Sequence, residues 1–136
     1  MSEAFKVGDR FFSAIEAGDM QTLRDIYHPD VVVWHNTDGL EKREQGQSRE
    51  DNVALLTMLT ARISDWKYDI WYREVTESGL VQQHTLRGKL PNGELFAIPV
   101  CIVLQIEDGR ITRLDEYMDS VHTQPMVQAL AGATKG

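Results

Sequence analysis

The sequence predicts an α+β fold in which helices cover the concave face of a single curved sheet. Segments with helical spacing of apolar residues come first, and short extended segments fill most of the remaining chain. Short connections that contain glycine separate the extended segments, which favours antiparallel hairpins. A sheet of this kind must bury one apolar face against helices, and a strongly twisted sheet curls into a cone. A cone-shaped, mixed or mainly antiparallel sheet wrapped around N-terminal helices is therefore expected.

Two helices are predicted at the start of the chain. From Glu3 to Ala17 apolar residues recur at helical spacing, and Gly18 is a natural end because glycine reaches the left-handed conformation at little cost. The carboxylate of Asp19 can accept hydrogen bonds from free backbone amides at the start of a short second helix. Pro29 is expected to close that helix.

A strand and a third helix follow. The run from Val31 to His35 is β-branched and aromatic, which is typical of a strand, and residues 36–39 have turn chemistry. Ser48 and Asp51 resemble a capping box at the start of a third helix. The apolar residues from there to Ile63 give this helix a broad face that is expected to pack on the sheet.

The rest of the chain is predicted to form a long meander. Extended segments are expected at residues 66–75, 80–90, 95–106 and 111–118. The connections between them contain Gly79, Gly93 and Gly109, which suit short hairpin turns. A last segment, residues 123–131, predicts one short helix.

Composition limits the class of protein. With 136 residues, the chain is expected to form one domain over 1–136, with a core at 5–119 and a C-terminal tail at 120–136. A formal net charge of -7, with 14 scattered basic residues, argues against a nucleic-acid surface and favours a small neutral ligand. The N-terminus lacks the pattern of a signal peptide, and no apolar stretch approaches the ~20 residues of a membrane helix. No membrane contact and a cytoplasmic location are therefore expected.

Local motifs resemble a known superfamily. They are Glu16-Ala17-Gly18-Asp19, the segment from Tyr27 to His35, Asp108-Gly109-Arg110-Ile111, and the segment from Asp115 to Asp119. In this order they resemble the nuclear transport factor 2-like superfamily, which includes SnoaL-like polyketide cyclases, ketosteroid isomerases and limonene epoxide hydrolases. The resemblance spans Phe5 to about Asp119. It implies a cystatin-like α+β barrel that encloses an apolar pocket for a small hydrophobic molecule.

The catalytic positions of two branches of this superfamily are incompletely matched. Ketosteroid isomerases abstract a proton with a carboxylate on the first strand, and the matching position is His35. Their oxyanion hole would fall on Phe11 and Ile102, whose side chains cannot donate hydrogen bonds to developing negative charge. The catalytic triad of limonene epoxide hydrolases would fall on Thr85, Arg87 and Glu116. The resemblance to the superfamily therefore does not imply either activity for this chain.

Strand alternation predicts which side chains line the pocket, because successive residues of a strand point to opposite faces. Together with the superfamily's face on the third strand, it assigns three candidate catalytic residues, namely His35, Glu116 and Arg87. The expected substrate-binding residues are Phe11, Val33, Gln83, Thr85, Ile98, Val100, Ile102 and Met118. A mostly apolar wall with a few polar groups is typical of small-molecule sites.

Each polar candidate has two interpretations. Because an imidazole group ordinarily changes its charge near neutral pH, His35 is a candidate for proton transfer, or it can be a core histidine with a satisfied hydrogen bond. Glu116 on an apolar strand needs a partner, since a lone buried carboxylate is costly. Arg87 can supply that partner in a structural ion pair, or it can orient a catalytic carboxylate.

The remaining distinctive residues are expected outside the pocket. Trp34 and His84 are predicted on the convex face, where domains of this superfamily commonly pair, so a homodimer is expected. Cys101 lies in an apolar run and is expected to be a small buried residue. No histidine pair has the spacing of a helical metal site, so neither a metal nor another cofactor is expected.

Two classes of function remain open from the sequence. The first is an enzyme that performs acid–base chemistry without a cofactor, as an isomerase, cyclase or dehydratase, on a small hydrophobic substrate. The second is a protein without catalysis. It would be either a binding module for a small hydrophobic metabolite or a dimeric interaction domain with a filled pocket. The volume of the cavity and the geometry around His35 discriminate between them.

Overall fold

The computed structural model describes the backbone of residues 2–135 and the side chains of residues 2–131. Its helices are α1 (Glu3–Ala17), α2 (Met20–Ile26), α3 (Arg49–Arg62) and α4 (Ser120–Lys135). Its strands are β1 (Tyr27–His35), β2 (Ser64–Val75), β3 (Gly79–Lys89), β4 (Leu95–Glu107) and β5 (Arg110–Met118). The predicted α+β class and the predicted order of elements are confirmed.

All five strands form one curved sheet in the order β1-β5-β4-β3-β2. β1 pairs with β5 in parallel, and the other neighbours are antiparallel, so the sheet is mixed. α1 packs against β2 and β3, while α3 contacts β1 and β2. Because β1 and β2 remain edge strands, the barrel that the resemblance implies is not closed.

Side-chain caps set the helix boundaries at the positions that the sequence indicates. Asp19 accepts a hydrogen bond from the backbone amide of Thr22, and Ser48 accepts one from Asp51. Gly18 ends α1 with a φ of 69°, in the left-handed region that favours glycine. Each cap satisfies backbone groups that the helix end leaves without a partner.

β1 begins earlier than expected, at Tyr27, and Pro29 lies within this strand instead of closing a helix. α2 already ends at Ile26. Proline has no backbone N–H to donate. It is tolerated here because β1 is an edge strand, which has a neighbouring strand on one side only. The pairing with β5 also shifts register between Tyr27 and Val32, which accommodates the irregular segment.

The loop after β1 covers Trp34. It contains 3₁₀ turns at Asn36–Asp38 and Leu40–Lys42, where the sequence predicts only a simple turn. The indole of Trp34 donates to the carbonyl of Gly39 at 2.9 Å, and the guanidinium of Arg43 lies over its ring. Trp34 points away from the cavity as predicted, but it is only 2% exposed and adds no apolar area to the outer surface.

β3 presents the face opposite to the predicted one. Gln82, His84 and Leu86 are buried on the concave side, whereas Gln83, Thr85 and Arg87 point outward. The physical reason is that Leu80, Leu86 and Leu90 share the alternation of His84 and become buried, while Arg87 and Lys89 reach solvent. Because the side-chain period is two, choosing the other alternation moves every side chain to the wrong face.

The outer face of the sheet carries exposed aromatic side chains. Trp71 is 58% exposed and Tyr117 is 40% exposed. Cys101 pairs with Gln83 and Tyr117 across neighbouring strands and is half-buried, not fully buried as expected. Its partial burial raises the pKa of the thiol.

The C-terminal segment forms a longer helix than predicted, α4, and this helix packs on the domain. Thr123 is buried, and Met126, Ala129 and Leu130 pack against the core. Among residues 2–135, no helix combines the length and the apolar character required to cross a membrane.

Candidate functional site

A cavity of about 210 Å³ lies between the concave face of the sheet and the helices α1 and α3. Aliphatic side chains from helices and strands form most of its wall, among them Ile15, Leu55, Leu56, Leu59, Leu86 and Leu114. Polar groups reach it from β1, the following loop, α3, β2 and β5, and these are Tyr27, His35, Thr37, Asp38, Gln47, Asn52, Trp66, Tyr68 and Glu116. The composition is that of a small-molecule site.

His35 and Glu116 meet in this cavity because β1 and β5 place them directly opposite each other in the parallel ladder. His35 Nε2 lies 3.3 Å from Glu116 Oε1. On the other side of the ring, His35 Nδ1 lies 3.3 Å from Asp38 Oδ2. The imidazole is thus held between two carboxylates, and the side chains of His35 and Glu116 are only 16% and 15% exposed.

The environment of Glu116 favours its protonated form. Burial raises the pKa of this carboxyl group, the charge of Asp38 raises it further, and the adjacent His35 acts in the opposite direction. Desolvation disfavours the charged form of an acid, so the carboxyl group retains its proton at a higher pH than an exposed glutamate. A carboxyl group with a raised pKa in contact with an imidazole is a candidate acid–base pair.

A second set of polar groups forms a hydrogen-bonded chain along the cavity. The hydroxyl of Tyr27 donates to Asn52 Oδ1 at 2.7 Å, and Asn52 Nδ2 donates to Gln47 Oε1 at 3.0 Å. Tyr27 and Asn52 are almost completely buried. Burial, followed by the neighbouring Tyr68 and Glu116, raises the pKa of the Tyr27 phenol well above its ordinary value, so the phenol stays neutral.

Sequence reasoning missed Tyr27, Asp38, Gln47 and Asn52 as cavity residues. A signal for Asn52 exists, because it shares helical spacing with Leu55, Leu56 and Leu59, the leucines that line the cavity. Asp38 and Gln47 reach the cavity through the irregular loop after β1, and no periodic pattern places side chains in such a segment.

Six of the predicted site residues line the cavity together, and they are Phe11, Val33, His35, Ile102, Glu116 and Met118. Ile98 and Val100 are buried on β4 as expected, but they do not line the cavity. The concave alternation predicted for β1, β4 and β5 therefore agrees with the structure.

The three residues predicted from β3 do not belong to the site. Arg87 lies on the outer face and pairs with Asp69 instead of Glu116. Gln83 is exposed, and the hydroxyl of Thr85 accepts a hydrogen bond from the indole of Trp71 at 3.1 Å. The inverted face of β3 removes all three, so the prediction of an Arg87–Glu116 pair is wrong.

His84 occupies the interior, contrary to the expectation of a convex-face residue. It is 0% exposed, and its ring meets Phe12 and Tyr68 edge to face. Its Nδ1 lies 2.9 Å from Gln82 Nε2, while its Nε2 has no hydrogen-bond partner among the described residues. Burial lowers the pKa of His84 to about 4, so this histidine is neutral at physiological pH.

No group of three or more His, Cys, Asp or Glu side chains within residues 2–131 is arranged to hold a metal ion. The His35 cluster contains only that histidine and the two carboxylates, which contact it on opposite ring nitrogens.

Solved structures with the same fold include proteins of several kinds. PrhC from Penicillium brasilianum superposes with a TM-score of 0.82 at 15% identity, covering 97% of this chain and 90% of that chain. An LEH-like epoxide hydrolase of M. tuberculosis gives a TM-score of 0.75 at 18% identity, covering 97% and 95%. IdmH from Streptomyces antibioticus gives 0.76 at 19% identity, covering 93% and 99%. At these identities the likeness establishes the fold alone.

Sequence comparison identifies the family. No protein of curated function matches the chain significantly. A family model described as the SnoaL-like domain, however, matches residues 9–114, which include the C-terminal part of α1, the whole of β1 and most of the sheet. This chain therefore belongs to the SnoaL-like domain family, within the nuclear transport factor 2-like superfamily.

Proposed function

We propose that this protein is an enzyme that transfers protons on a small hydrophobic substrate, in an isomerase- or lyase-type reaction such as isomerisation, cyclisation or dehydration. The contact of His35 Nε2 with Glu116 Oε1 at 3.3 Å, in an otherwise largely apolar cavity, carries the proposal. Burying ionisable groups costs hydration energy, and ionisable groups with perturbed pKa values cluster at functional sites. The reaction uses the side chains of the protein and no cofactor.

Asp38, His35 and Glu116 act in sequence. The Nδ1–H group of His35 donates a hydrogen bond to Asp38. This tautomer leaves the lone pair of Nε2 directed at Glu116. One proton is then shared between Nε2 and Oε1. When this shared proton resides on His35, the Glu116 carboxylate accepts a second proton, which comes from the substrate. When Glu116 gives this second proton to another atom of the substrate, the His35–Glu116 pair regains its starting state. The number of protons therefore balances over the cycle.

The size of the cavity supports a small substrate. Its volume of about 210 Å³ lies below the range of roughly 300–1,000 Å³ that is usual for drug-sized ligands. The aliphatic wall contributes affinity in proportion to the apolar area that the ligand buries.

Proton transfer is tested by hydrogen exchange with solvent. Wild-type protein is incubated in deuterium oxide with a panel of small apolar ketones, alcohols and alkenes, and NMR spectra report deuterium incorporation or rearrangement. We expect catalysis by the wild type, loss of catalysis in Glu116→Gln and His35→Ala, and no change in Glu107→Gln, an exposed glutamate at the end of β4. Ligands that bind but are recovered without exchange would identify a binding module instead.

We also propose that two copies associate through the outer face of the sheet. Trp71, Tyr72 and Tyr117 expose 58%, 46% and 40% of their surfaces. Exposed aromatic area of this kind commonly marks an interaction surface. Light scattering at micromolar concentration tests the proposal, and a monomeric mass for the wild type would overturn it.

A further inference from the structure

We infer that Asn36 is a positioning residue, which holds Asp38 against the ring of His35 and thereby favours the form of His35 that carries its proton on Nδ1. The inference rests on the proposed function, because it concerns the same acid–base pair. Asn36 is not among the described residues that line the cavity, so it acts on the pair through the path of the chain at the end of β1.

The chain must turn directly after His35 if Asp38 is to reach the ring. A strand advances by about 3.3 Å per residue, so a continued β1 would carry Asp38 roughly 10 Å beyond His35. The chain instead forms a 3₁₀ turn at Asn36–Asp38. Residues three apart lie on the same side of such a turn, and Asp38 Oδ2 comes to 3.3 Å from Nδ1 of His35.

Asn36 uses both of its carbonyl groups to join this turn to the sheet. Its backbone carbonyl accepts from the backbone amide of Gly39 at 3.3 Å, which closes the turn. The backbone amide of Met118 on β5 donates to the side-chain oxygen Oδ1 of Asn36 at 3.0 Å. A side-chain amide carries the same acceptor as a peptide group, so it takes the place of the backbone partner that a continued β1 would have supplied.

This hydrogen bond lies directly beyond the acid–base pair. His35 and Glu116 are the last paired residues of β1 and β5. The bond from Met118 to Asn36 follows at the next step, so it fixes both the spacing of the two strands at the pair and the direction in which the chain leaves β1. Asn36 is exposed, and one hydrogen bond contributes only modestly to net stability. Its replacement should therefore act locally.

The position of Asp38 influences which nitrogen of His35 carries the proton. A carboxylate accepts hydrogen bonds and does not donate them, so Asp38 favours a proton on Nδ1. When Glu116 is ionised, it favours a proton on Nε2, which it contacts at 3.3 Å. If the turn relaxes and Asp38 moves away, the influence of Glu116 prevails. Nε2 then no longer presents a lone pair to Glu116, as the proposed proton transfer requires.

Nitrogen-15 NMR spectra of the His35 ring test the inference without relying on turnover. A protonated and an unprotonated ring nitrogen differ widely in chemical shift, so spectra at alkaline pH give the share of the Nδ1–H form. The variants are Asn36→Ala, which removes the acceptor for Met118, and Asn36→Asp, which keeps an acceptor oxygen. Asn92→Ala is the matched control, because Asn92 Oδ1 accepts from the backbone amide of Glu94 at 2.9 Å in the turn between β3 and β4.

We expect the share of the Nδ1–H form to fall at least twofold in Asn36→Ala and to stay near the wild-type value in Asn36→Asp and Asn92→Ala. Deuterium exchange on a substrate should slow by roughly tenfold to 100-fold in Asn36→Ala, with little change in affinity, because a small displacement of a reacting group is costly. An unchanged share in Asn36→Ala, or a wild type without a proton on Nδ1, would overturn the inference.

Asp38→Ala shows whether Asn36 acts through Asp38. This variant should lower the share of the Nδ1–H form by itself, and adding Asn36→Ala should then cause no further change, since the intermediate partner is already absent. A further fall in the double variant would contradict this route. Thermal melting identifies a variant that fails to fold. In that case Asn36→Ser, whose shorter side chain cannot make the same bond to Met118, decides the outcome.

The two proposals fail separately. A smaller share of the Nδ1–H form in Asn36→Ala, without deuterium exchange on any compound by the wild type, supports the positioning role and contradicts the enzymatic function. Exchange that depends on Glu116, with an unchanged share in Asn36→Ala, supports the enzyme and contradicts the positioning role.

Discussion

His35 and His84 sit on the concave side of the same sheet, yet their surroundings differ in every respect that governs proton transfer. His35 lies on an edge strand, keeps part of its surface accessible and contacts a carboxylate on each ring nitrogen. His84 lies on β3 under α1 and packs against Phe12 and Tyr68, and its hydrogen-bond partner among the described residues is the neutral side chain of Gln82. One imidazole faces the cavity between two carboxylates, and the other is held neutral in the core.

The difference shows how one sheet supports both a candidate proton-transfer site and a dry core. Carboxylates stabilise the charged imidazole, and burial without a counter-charge destabilises it. His35 is located where β1, β5 and the loop after β1 converge beside the cavity. The neutral histidine is located where α1 closes the sheet. The following tests separate the two environments, from the largest expected effect to the smallest.

The largest effect is expected from Glu116→Gln. The amide keeps the shape of the side chain but cannot carry the shuttled proton, so turnover should fall by roughly 100-fold or more. Steady-state assays with any substrate found by deuterium exchange measure the loss. Glu107→Gln should retain full activity, and an active Glu116→Gln variant would place the chemistry elsewhere.

The second effect is acid destabilisation through His84. Its folded-state pKa of about 4 lies below that of an unfolded histidine, about 6.5, so the folded protein binds this proton less readily. Stability is therefore fully present above pH 6.5 and is lost as the pH falls toward 4, by up to about 3 kcal/mol. Urea unfolding at a series of pH values measures this loss.

A variant without the titrating imidazole ring serves as the control for the loss of stability in this pH range. His84→Gln should show a shallower dependence of unfolding free energy on pH between 6.5 and 4 than the wild type. His122→Gln alters an exposed histidine that pairs with Asp119, and it should change the dependence less than His84→Gln does. An unchanged slope in His84→Gln would mean that other groups cause the acid destabilisation.

A smaller effect on stability is expected from His35→Ala. The ring lies beside a cavity and contacts groups that water can reach, so the free energy of unfolding should fall by less than about 1 kcal/mol. His84→Ala, by contrast, removes a packed core side chain and should cost about 2 kcal/mol or more. Thermal melting compares the two. A loss in His35→Ala as large as that in His84→Ala would indicate a structural histidine.

The smallest effect is expected from Arg87→Ala. This residue pairs with Asp69 on the outer face, where both side chains are well exposed. Exposed ion pairs contribute about 0–1 kcal/mol, so stability should barely change, and activity should be that of the wild type. A strong loss of activity would restore the sequence-based assignment of Arg87 to the site.

Much of the fold follows from local signals. Gly18, Asp19 and Ser48 mark helix ends because glycine conformation and capping oxygens act over a few residues. The glycine-containing turns correctly separate the strands of the meander, and Asp108 with Gly109 adopts the two positive φ values, 51° and 76°, of a tight hairpin.

The composition of the site was predictable only in part. β1, β4 and β5 alternate clearly, and His35, Ile102 and Glu116 reach the cavity as expected. On β3 the superfamily's catalytic positions suggested one face, while Leu80, Leu86 and Leu90 indicated the other. The leucines prevail because burying apolar area stabilises the fold, whereas placing Arg87 in the interior would cost its hydration.

By itself, the sequence determined the α+β class, the order of the elements, and the presence of a histidine and a glutamate on the concave face of the sheet. These features depend on spacing along a single strand or helix. Only the tertiary structure decided that Asp38 joins His35, that Arg87 does not, and that Gln47, Asn52 and Tyr27 form a chain. Such partners lie on an irregular loop or on separate elements, and their distances depend on register and packing. No local pattern encodes those quantities.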